Sequence, residues 1–262
     1  MADLRIFSYL PNPRLYKATI AARFSGAEIE VVGAKPKEVA NWLWDYEAHE
    51  LTDEEKSDYS AFARQARTGF SGTIYKTDAF LVANPFGDIP TAFGADGKVG
   101  LFESNSIMRA AARLGPKAPD LCGEDALQQS RIDGFLDRTL IFARDTQRYI
   151  LTFINEKNIP EPIYDEMATS LDSYLGGIEQ ALASAKHIAG ETLSLADIAF
   201  ACEVCLFSNE MYQAEILKQA GLSPLLPRVL EYEKVRAHLH TLADHPFFAE
   251  DLADYFKKLF AG

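Results

Sequence analysis

Two cysteines spaced as C-x-x-C form the pair of residues that most directly suggests chemistry in this sequence. Cys202 and Cys205 lie in the apolar run AFACEVCLF, which is typical of a helix interior. Residues three apart share one face of a helix, so the two thiols would be neighbours there. No second cysteine pair and no nearby histidine completes a metal site. The sequence therefore predicts that both thiols pack as small apolar groups in the core, with redox or metal chemistry as the alternative.

The histidines are the other side chains that could bind a metal ion. All five are scattered along the chain and form no cluster with aspartate or glutamate at metal-ligand spacing. The sequence therefore predicts no metal site.

Charge and composition exclude several classes of protein. Lysine and arginine number 26 against 38 aspartates and glutamates, a net charge of −12. A nucleic-acid binder needs a basic face, and so does a protein that docks on an anionic membrane. Three cysteines make a disulfide framework implausible. The first residues lack the pattern of a secretory signal, and no apolar stretch approaches the ~20 residues that span a bilayer. The expected partners therefore include neither nucleic acid nor membrane, and the expected location is the cytoplasm.

The elements that must position any site differ between the two halves of the chain. Residues 4–9 and 28–32 are predicted strands, joined by a helix that starts at Asn12–Pro13 and ends at Gly26. Such a β-α-β unit predicts parallel strands. A short helix, a hairpin around residues 95–97 and a helix ending at Gly115 follow. This order of elements is thioredoxin-like.

Between these units, residues 35–50 and 51–67 are predicted as two amphipathic helices and residues 69–76 as a glycine-rich loop. Beyond the linker GPKAPDLCG the period is helical, with helices expected at about 124–156, 160–186, 194–211, 224–242 and 246–259. Ser194 and Asp197 have capping-box spacing. The predicted fold class is an α/β thioredoxin-like domain, residues 1–116 with a helical insertion at about 35–75, followed by an all-α domain, residues 117–262.

Four stretches resemble the glutathione transferase superfamily: NPFGDIPTAF, VGLFESNSIMRAAARL, IAGETLSLADIAFA and DHPFFAEDL. In their order they cover both domains. Within the superfamily, YLPNPRLYKATIAARFSGAE and TDAFLVANPFGDIPTAFGADGKVGLFESNSI look like the transferase-like domain of the gamma subunit of elongation factor 1B. The sequence departs from that pattern by the insertion, and we expect no counterpart of the extra C-terminal domain of the elongation-factor subunit. The resemblance implies the glutathione transferase fold.

The resemblance also implies where the thiol of glutathione would be activated. Asn12 takes the position of the catalytic serine in serine-type classes. Its amide can donate a hydrogen bond to a thiolate but cannot accept the proton, and the helix start adds positive partial charge. Asn12 is thus the predicted catalytic residue, with the alternative that it only caps the helix. Ser8 and Tyr9 are competing candidates for the thiol partner.

Further contacts with glutathione follow from the same resemblance. Pro90 would be a cis-proline, and Ile89 before it would pair its backbone with the cysteinyl segment of glutathione. Glu103 and Ser104 would bind the γ-glutamyl end, with the serine at a helix start holding the carboxylate. Arg14, Lys76 and other basic residues around 64–76 are candidates for the glycine-end carboxylate. The resemblance places the electrophile pocket between the domains, and seven residues are candidates for its wall: Trp42, Trp44, Tyr46 and Phe70 in the insertion, and Phe142, Arg144 and Tyr149 on the first long helix of the second half.

The function that the resemblance implies is a glutathione transferase. Glutathione thiolate would attack an apolar or aromatic electrophile, and cleavage of aryl ethers in lignin fragments is one such reaction. The alternative is a non-catalytic scaffold or a silent subunit, and a glutathione-dependent reductase or isomerase ranks third. The expected partners are a small-molecule electrophile and a second subunit, in a homodimer or a heterodimer.

Overall fold

The computed structural model describes residues 2–67, 69–117 and 119–261. The chain divides into two compact units, Met1–Lys117 (unit 1) and Ala118–Gly262 (unit 2). Ala118, within the predicted linker, lies outside the described residues.

Unit 1 is an α/β unit with two four-stranded sheets. In chain order its elements are β1 (Leu4–Tyr9), α1 (Pro13–Ser25), β2 (Ile29–Ala34), α2 (Pro36–Val39), β3 (Trp42–Trp44), β4 (His49–Glu50), α3 (Asp53–Asp58), β5 (Ala63–Gln65), β6 (Thr73–Lys76), α4 (Asp78–Ala83), β7 (Thr91–Gly94), β8 (Gly100–Leu101) and α5 (Ser104–Leu114). The first sheet has the order β2-β1-β7-β8. Strands β1 and β2 are parallel, whereas β7 is antiparallel to both β1 and β8. The predicted thioredoxin-like order of elements is confirmed.

Local turn chemistry explains the ends of α1. The Asn12 side chain accepts from the backbone N–H of Arg14, Pro13 occupies the first helical position, and Gly26 follows the helix at φ 80°. These residues satisfy the helix ends as the sequence predicts. At the next turn, Gly33 lies so close to β1 that a Cβ there would come 1.8 Å from the Ser8 carbonyl oxygen. The close parallel pairing of β1 and β2 therefore requires glycine at this position.

The insertion differs from the prediction of two long helices, which is wrong. Its described residues contain the short helices α2 and α3, a 3-10 turn at Ser60–Phe62 and the four strands of the second sheet, in the order β4-β3-β6-β5. The predicted loop at 69–76 contains β6. The strands are two to four residues long, too short to reveal an alternating pattern, and tertiary packing of their aromatic side chains outweighs local periodicity.

The core of unit 1 joins the two sheets. Trp44 of β3 is 1% exposed and donates its indole N–H to the Val39 carbonyl oxygen at 3.0 Å. Its ring lies edge-on to Phe7 of the first sheet and to Phe80 of α4, with centroid distances of 5.6 and 6.0 Å. The insertion is thus an integral part of the apolar core and not an appendage.

Unit 2 is built from helices, and its described residues add one isolated β-bridge, between His187 and Gly190. It contains α6 (Pro119–Cys122), α7 (Ala126–Glu156), α8 (Glu161–Leu182), α9 (Leu195–Phe207), α10 (Ala214–Gln219), α11 (Glu233–Ala243) and α12 (Pro246–Ala261), with single 3-10 stretches at Ser208–Gln213 and Leu226–Glu231. The predicted all-helical half is confirmed. Cys202 and Cys205 are fully buried in α9, as the sequence predicts. No helix among the described residues is long and apolar enough to cross a membrane.

Candidate functional site

The carboxyl end of β1 and the start of α1 meet at Asn12. This side chain is fully buried, and both of its ends are engaged. Its carbonyl oxygen caps α1 through the Arg14 N–H at 3.0 Å, and its amide nitrogen donates to Ser8 Oγ at 3.0 Å. The Ser8 hydroxyl donates in turn to the Tyr9 carbonyl oxygen. Asn12 is therefore a helix cap, and one of its two amide hydrogens is used by Ser8.

The loop between α4 and β7 is organised by Asn84, which is fully buried. Its amide nitrogen donates to the carbonyl oxygen of Asp88 and to the Thr91 hydroxyl, at 2.9 and 2.8 Å. Its carbonyl oxygen accepts from the backbone N–H groups of Phe86 and Gly87, both at 3.1 Å. The Asn84 side chain thus hydrogen-bonds backbone groups along this loop, from Phe86 to Asp88.

The residues that follow this loop lie beside β1. The Ile89–Pro90 peptide is cis, as predicted. Thr91 pairs with Phe7 in the antiparallel register, which places Pro90 opposite Ser8. The backbone of Ile89 and the cap at Asn12 are therefore neighbours at the same end of the first sheet.

The start of α5 has an unusual backbone. Glu103, which precedes the helix, is exposed and has φ 65° and ψ 120°, and its side chain makes no capping hydrogen bond. The first residue of the helix is Ser104, whose side chain is buried. Helix N-termini attract anions when their N–H groups are uncapped. This helix start can therefore accept a carboxylate.

Lys17 of α1 lies beneath this helix start. The lysine is fully buried, and its Nζ donates to Ser104 Oγ at 3.1 Å and to Asn105 Oδ1 at 2.9 Å. No motif in the sequence singles out Lys17 as a functional residue. The one indication in the sequence is position: Lys17 lies on the same face of α1 as Pro13 and Ile20, and both of these residues are buried.

Glu103→Gly is expected to raise the free energy of unfolding by about 1 kcal/mol. A non-glycine residue in this backbone region costs about 1–3 kcal/mol, and glycine removes that cost while adding about 0.5–1 kcal/mol of chain entropy. Chemical denaturation of both proteins measures the difference. Glu103→Ala is the matched control, because alanine keeps the strained backbone. An equal gain for alanine would contradict the assignment of strain to the backbone.

Comparisons with known proteins match a family model within unit 2 and match curated relatives across parts of both units. Residues 146–246 match the family model for the glutathione S-transferase C-terminal domain. Elongation factor 1-gamma 3 of Oryza sativa subsp. japonica is 30% identical over 189 residues, which cover 70% of this chain and 41% of that protein. Glutathione S-transferase F9 of Arabidopsis thaliana is 27% identical over 140 residues, covering 48% of this chain and 60% of that protein.

Solved structures agree on the fold. Glutathione S-transferase I from mais, in complex with an atrazine glutathione conjugate, superposes with a TM-score of 0.64 at 20% identity, covering 98% of this chain and 99% of that one. This chain belongs to the glutathione S-transferase superfamily. The predicted family and its relation to the elongation factor subunit are confirmed. The chain spans less than half the length of the first elongation factor relatives that it matches, 41% and 47%.

In this member of the superfamily, Lys76 is engaged within unit 1. Its Nζ donates to the Gly87 carbonyl oxygen and lies 4.8 Å from the centroid of the Trp44 ring. Partial burial lowers the pKa of Lys76. The other named candidate for the glycine-end carboxylate, Arg14, stands at the start of α1.

The aromatic side chains weighed as a pocket wall lie largely in the core. Trp44 and Tyr149 are at most 1% exposed and belong to the packed core. Phe142 is also buried, but together with Arg144 it lines a cavity of unit 2. The Tyr149 hydroxyl donates to Glu210 at 2.7 Å, and burial raises its pKa. The pocket-wall hypothesis is wrong for Trp44 and Tyr149, because their rings pack in the core. Trp42, Tyr46 and Phe70 are partly buried against the core of unit 1.

Two of the histidines lie beside a carboxylate in unit 2, a proximity that their spacing along the sequence did not indicate. His187, Asp197 and His238 of unit 2 bring their ligand atoms within 4.8 Å of one another. Asp197 Oδ1 already accepts from His238 Nε2 at 2.8 Å and from the Ile188 N–H at 3.0 Å. These contacts continue the capping box of α9, in which Asp197 binds the Ser194 N–H. His187 Nδ1 lies 3.6 Å from Asp197 Oδ1 and is buried without a hydrogen-bond partner among the described residues, so the histidine that completes the cluster is held by proximity and not by a hydrogen bond at this atom.

Proposed function

We propose that this chain binds glutathione in unit 1, with the γ-glutamyl carboxylate at the start of α5. The supporting observation is the uncapped helix start, where the buried Ser104 hydroxyl stands next to the strained backbone of Glu103. The Ser104 hydroxyl and N–H would donate to the carboxylate, and the Glu103 carboxylate would accept from the ammonium group. The Ile89 backbone beside β1 would pair with the cysteinyl segment.

The proposed reaction is transfer of the glutathione thiolate to an apolar electrophile. The thiolate sulfur forms a bond to the electrophilic carbon, and the leaving group departs with the electron pair of the broken bond. The second amide hydrogen of Asn12 and the positive end of α1 would stabilise the thiolate. An aryl ether is one substrate of this class, with a phenolate as the leaving group. The assembly proposed for a superfamily member is a dimer with an identical or related subunit.

One observation favours a second candidate function, a glutathione-independent scaffold. Asn12 is fully buried and serves as the cap of α1. Such a side chain needs no thiol to explain it. The elongation factor 1-gamma relatives do not bear a transferase name, so binding of glutathione is tested before turnover.

Ser104→Ala is expected to weaken glutathione binding about 10-fold, because one hydrogen bond to a charged group contributes about 1.5–3 kcal/mol. Isothermal titration calorimetry measures the affinity. Ser106→Ala is the matched control, since Ser106 is an exposed serine on the same first turn. Wild-type protein that binds no glutathione would overturn the proposed function. Equal affinities for wild type and Ser104→Ala would show that the γ-glutamyl carboxylate does not bind at this helix start.

A further inference from the structure

The most unusual buried group in unit 1 is the ammonium of Lys17. Fully buried lysines are rare because desolvation of the charge is costly, and those that occur are bound by several acceptors. Here two acceptors come from the first two residues of α5, Ser104 Oγ and Asn105 Oδ1. Lys17 of α1 therefore donates hydrogen bonds to the helix start that is proposed above as the binding site of the carboxylate.

The contact with Lys17 determines how Ser104 can act. An ammonium only donates hydrogen bonds, so Ser104 Oγ is the acceptor in this pair. With that lone pair occupied by a donor, the single hydroxyl hydrogen of Ser104 must be directed to a different acceptor. The same ammonium fixes the Asn105 side chain through its carbonyl oxygen. Lys17 thus orients Ser104 as a donor.

We infer that Lys17 is a positioning residue for the γ-glutamyl carboxylate: it holds the Ser104 hydroxyl as a donor that faces the ligand. The inference rests on the proposed function. It predicts a specific dependence on the ligand, because the benefit of Lys17 exists only when a carboxylate is present to accept from Ser104. Lys17 is expected to contribute nothing to the binding of the γ-amide or of the remainder of the tripeptide.

The test combines two ligands with two substitutions. The ligands are glutathione and its analogue in which a hydrogen replaces the α-carboxylate of the γ-glutamyl residue. The substitutions are Lys17→Met, which is nearly isosteric and removes the donor, and Lys17→Gln, which is shorter and keeps an N–H. Lys98→Met, on the exposed β7–β8 turn, is the matched control. Calorimetry gives the affinities, and thermal melts followed by far-ultraviolet circular dichroism verify folding.

Lys17→Met is expected to weaken glutathione about 10-fold and to leave the analogue unchanged, while Lys17→Gln falls between wild type and methionine. Adding Lys17→Met to Ser104→Ala should cost little more, because the two residues act as one unit. An equal loss for both ligands, or no loss for either, overturns the role of Lys17 while leaving glutathione binding in place. If Lys17→Met fails to fold, the same comparison is decided with Lys17→Gln. A wild type that binds neither ligand overturns the proposed function, and this inference with it.

Discussion

Replacing Asp197 with alanine is expected to lower the free energy of unfolding by about 3–5 kcal/mol. Its fully buried carboxylate accepts from the Ile188 N–H, the Ser194 N–H and hydroxyl, and His238 Nε2, at 2.8–3.1 Å. Removing one partner of a buried charged network leaves the remaining groups desolvated without partners. Urea denaturation followed by far-ultraviolet circular dichroism measures the loss. Asp172→Ala is the control: Asp172 pairs with Arg228 at a half-exposed position of the same unit, and its loss should cost under about 1 kcal/mol.

The same carboxylate makes a definite contribution to the pH dependence of stability. Burial alone would raise the pKa of Asp197, but its interactions with His187 and His238 and the Ile188 N–H outweigh burial and hold the pKa below its usual value. The stabilisation is therefore complete above the unfolded pKa of about 3.9 and is lost as the pH falls below it. Asp197→Asn should show a flatter decline in acid. An identical acid dependence in both proteins would assign the decline to other carboxylates.

Asn12→Asp is expected to reduce turnover about 10–100-fold while changing the free energy of unfolding by less than about 1 kcal/mol. A carboxylate can still cap α1, and the Ser8 hydroxyl can donate to it. Its negative charge would, however, raise the pKa of a bound thiol and so lower the fraction of thiolate. In other enzymes, loss of one preorganised hydrogen-bond donor lowers the rate about 10²–10³-fold. The loss expected here is smaller, because the N–H groups at the start of α1 remain. The bound-thiol pKa is read from thiolate absorbance, and turnover from release of the leaving group.

Asn12→Ala separates the two roles of this side chain. It removes the cap, at about 0.5–2 kcal/mol, together with the proposed thiolate donor. Thr52→Ala is the matched control, because Thr52 caps α3 in the same unit without any proposed role in glutathione binding. If both Asn12 variants turn over like wild type, Asn12 is only a cap, and Ser8 and Tyr9 become the next candidates. If wild type binds glutathione without lowering the thiol pKa, the transferase proposal is wrong.

The parts of the fold that follow from local rules were predictable. Asn12–Pro13 and Gly26 bound α1, and Ser194 with Asp197 begins α9, because caps and turn residues act within a few positions of the chain. The long helices of unit 2 contain enough turns for their period to be recognised.

The parts that depend on distant contacts were not. Trp44 forms a strand because its ring packs against Phe7 and Phe80, which lie 37 positions before and 36 after it in the sequence. His238 reaches Asp197 across 41 positions, and Lys17 reaches Ser104 across 87. No sequence spacing encodes such contacts, and the site chemistry of Lys17 became visible only when α1 and α5 were placed side by side.

The position of the two tryptophans gives the molecule a fluorescent probe of one unit only. Both, Trp42 and Trp44, belong to β3, and the chain has no others. Indole emission depends on the local surroundings of the ring, so its change on denaturation reports the opening of the joint core of unit 1. Helical ellipticity, in contrast, comes mainly from unit 2. Recording both signals in one titration therefore separates the unfolding of the two units without labels, and midpoints that differ would show directly that they do not unfold in a single transition.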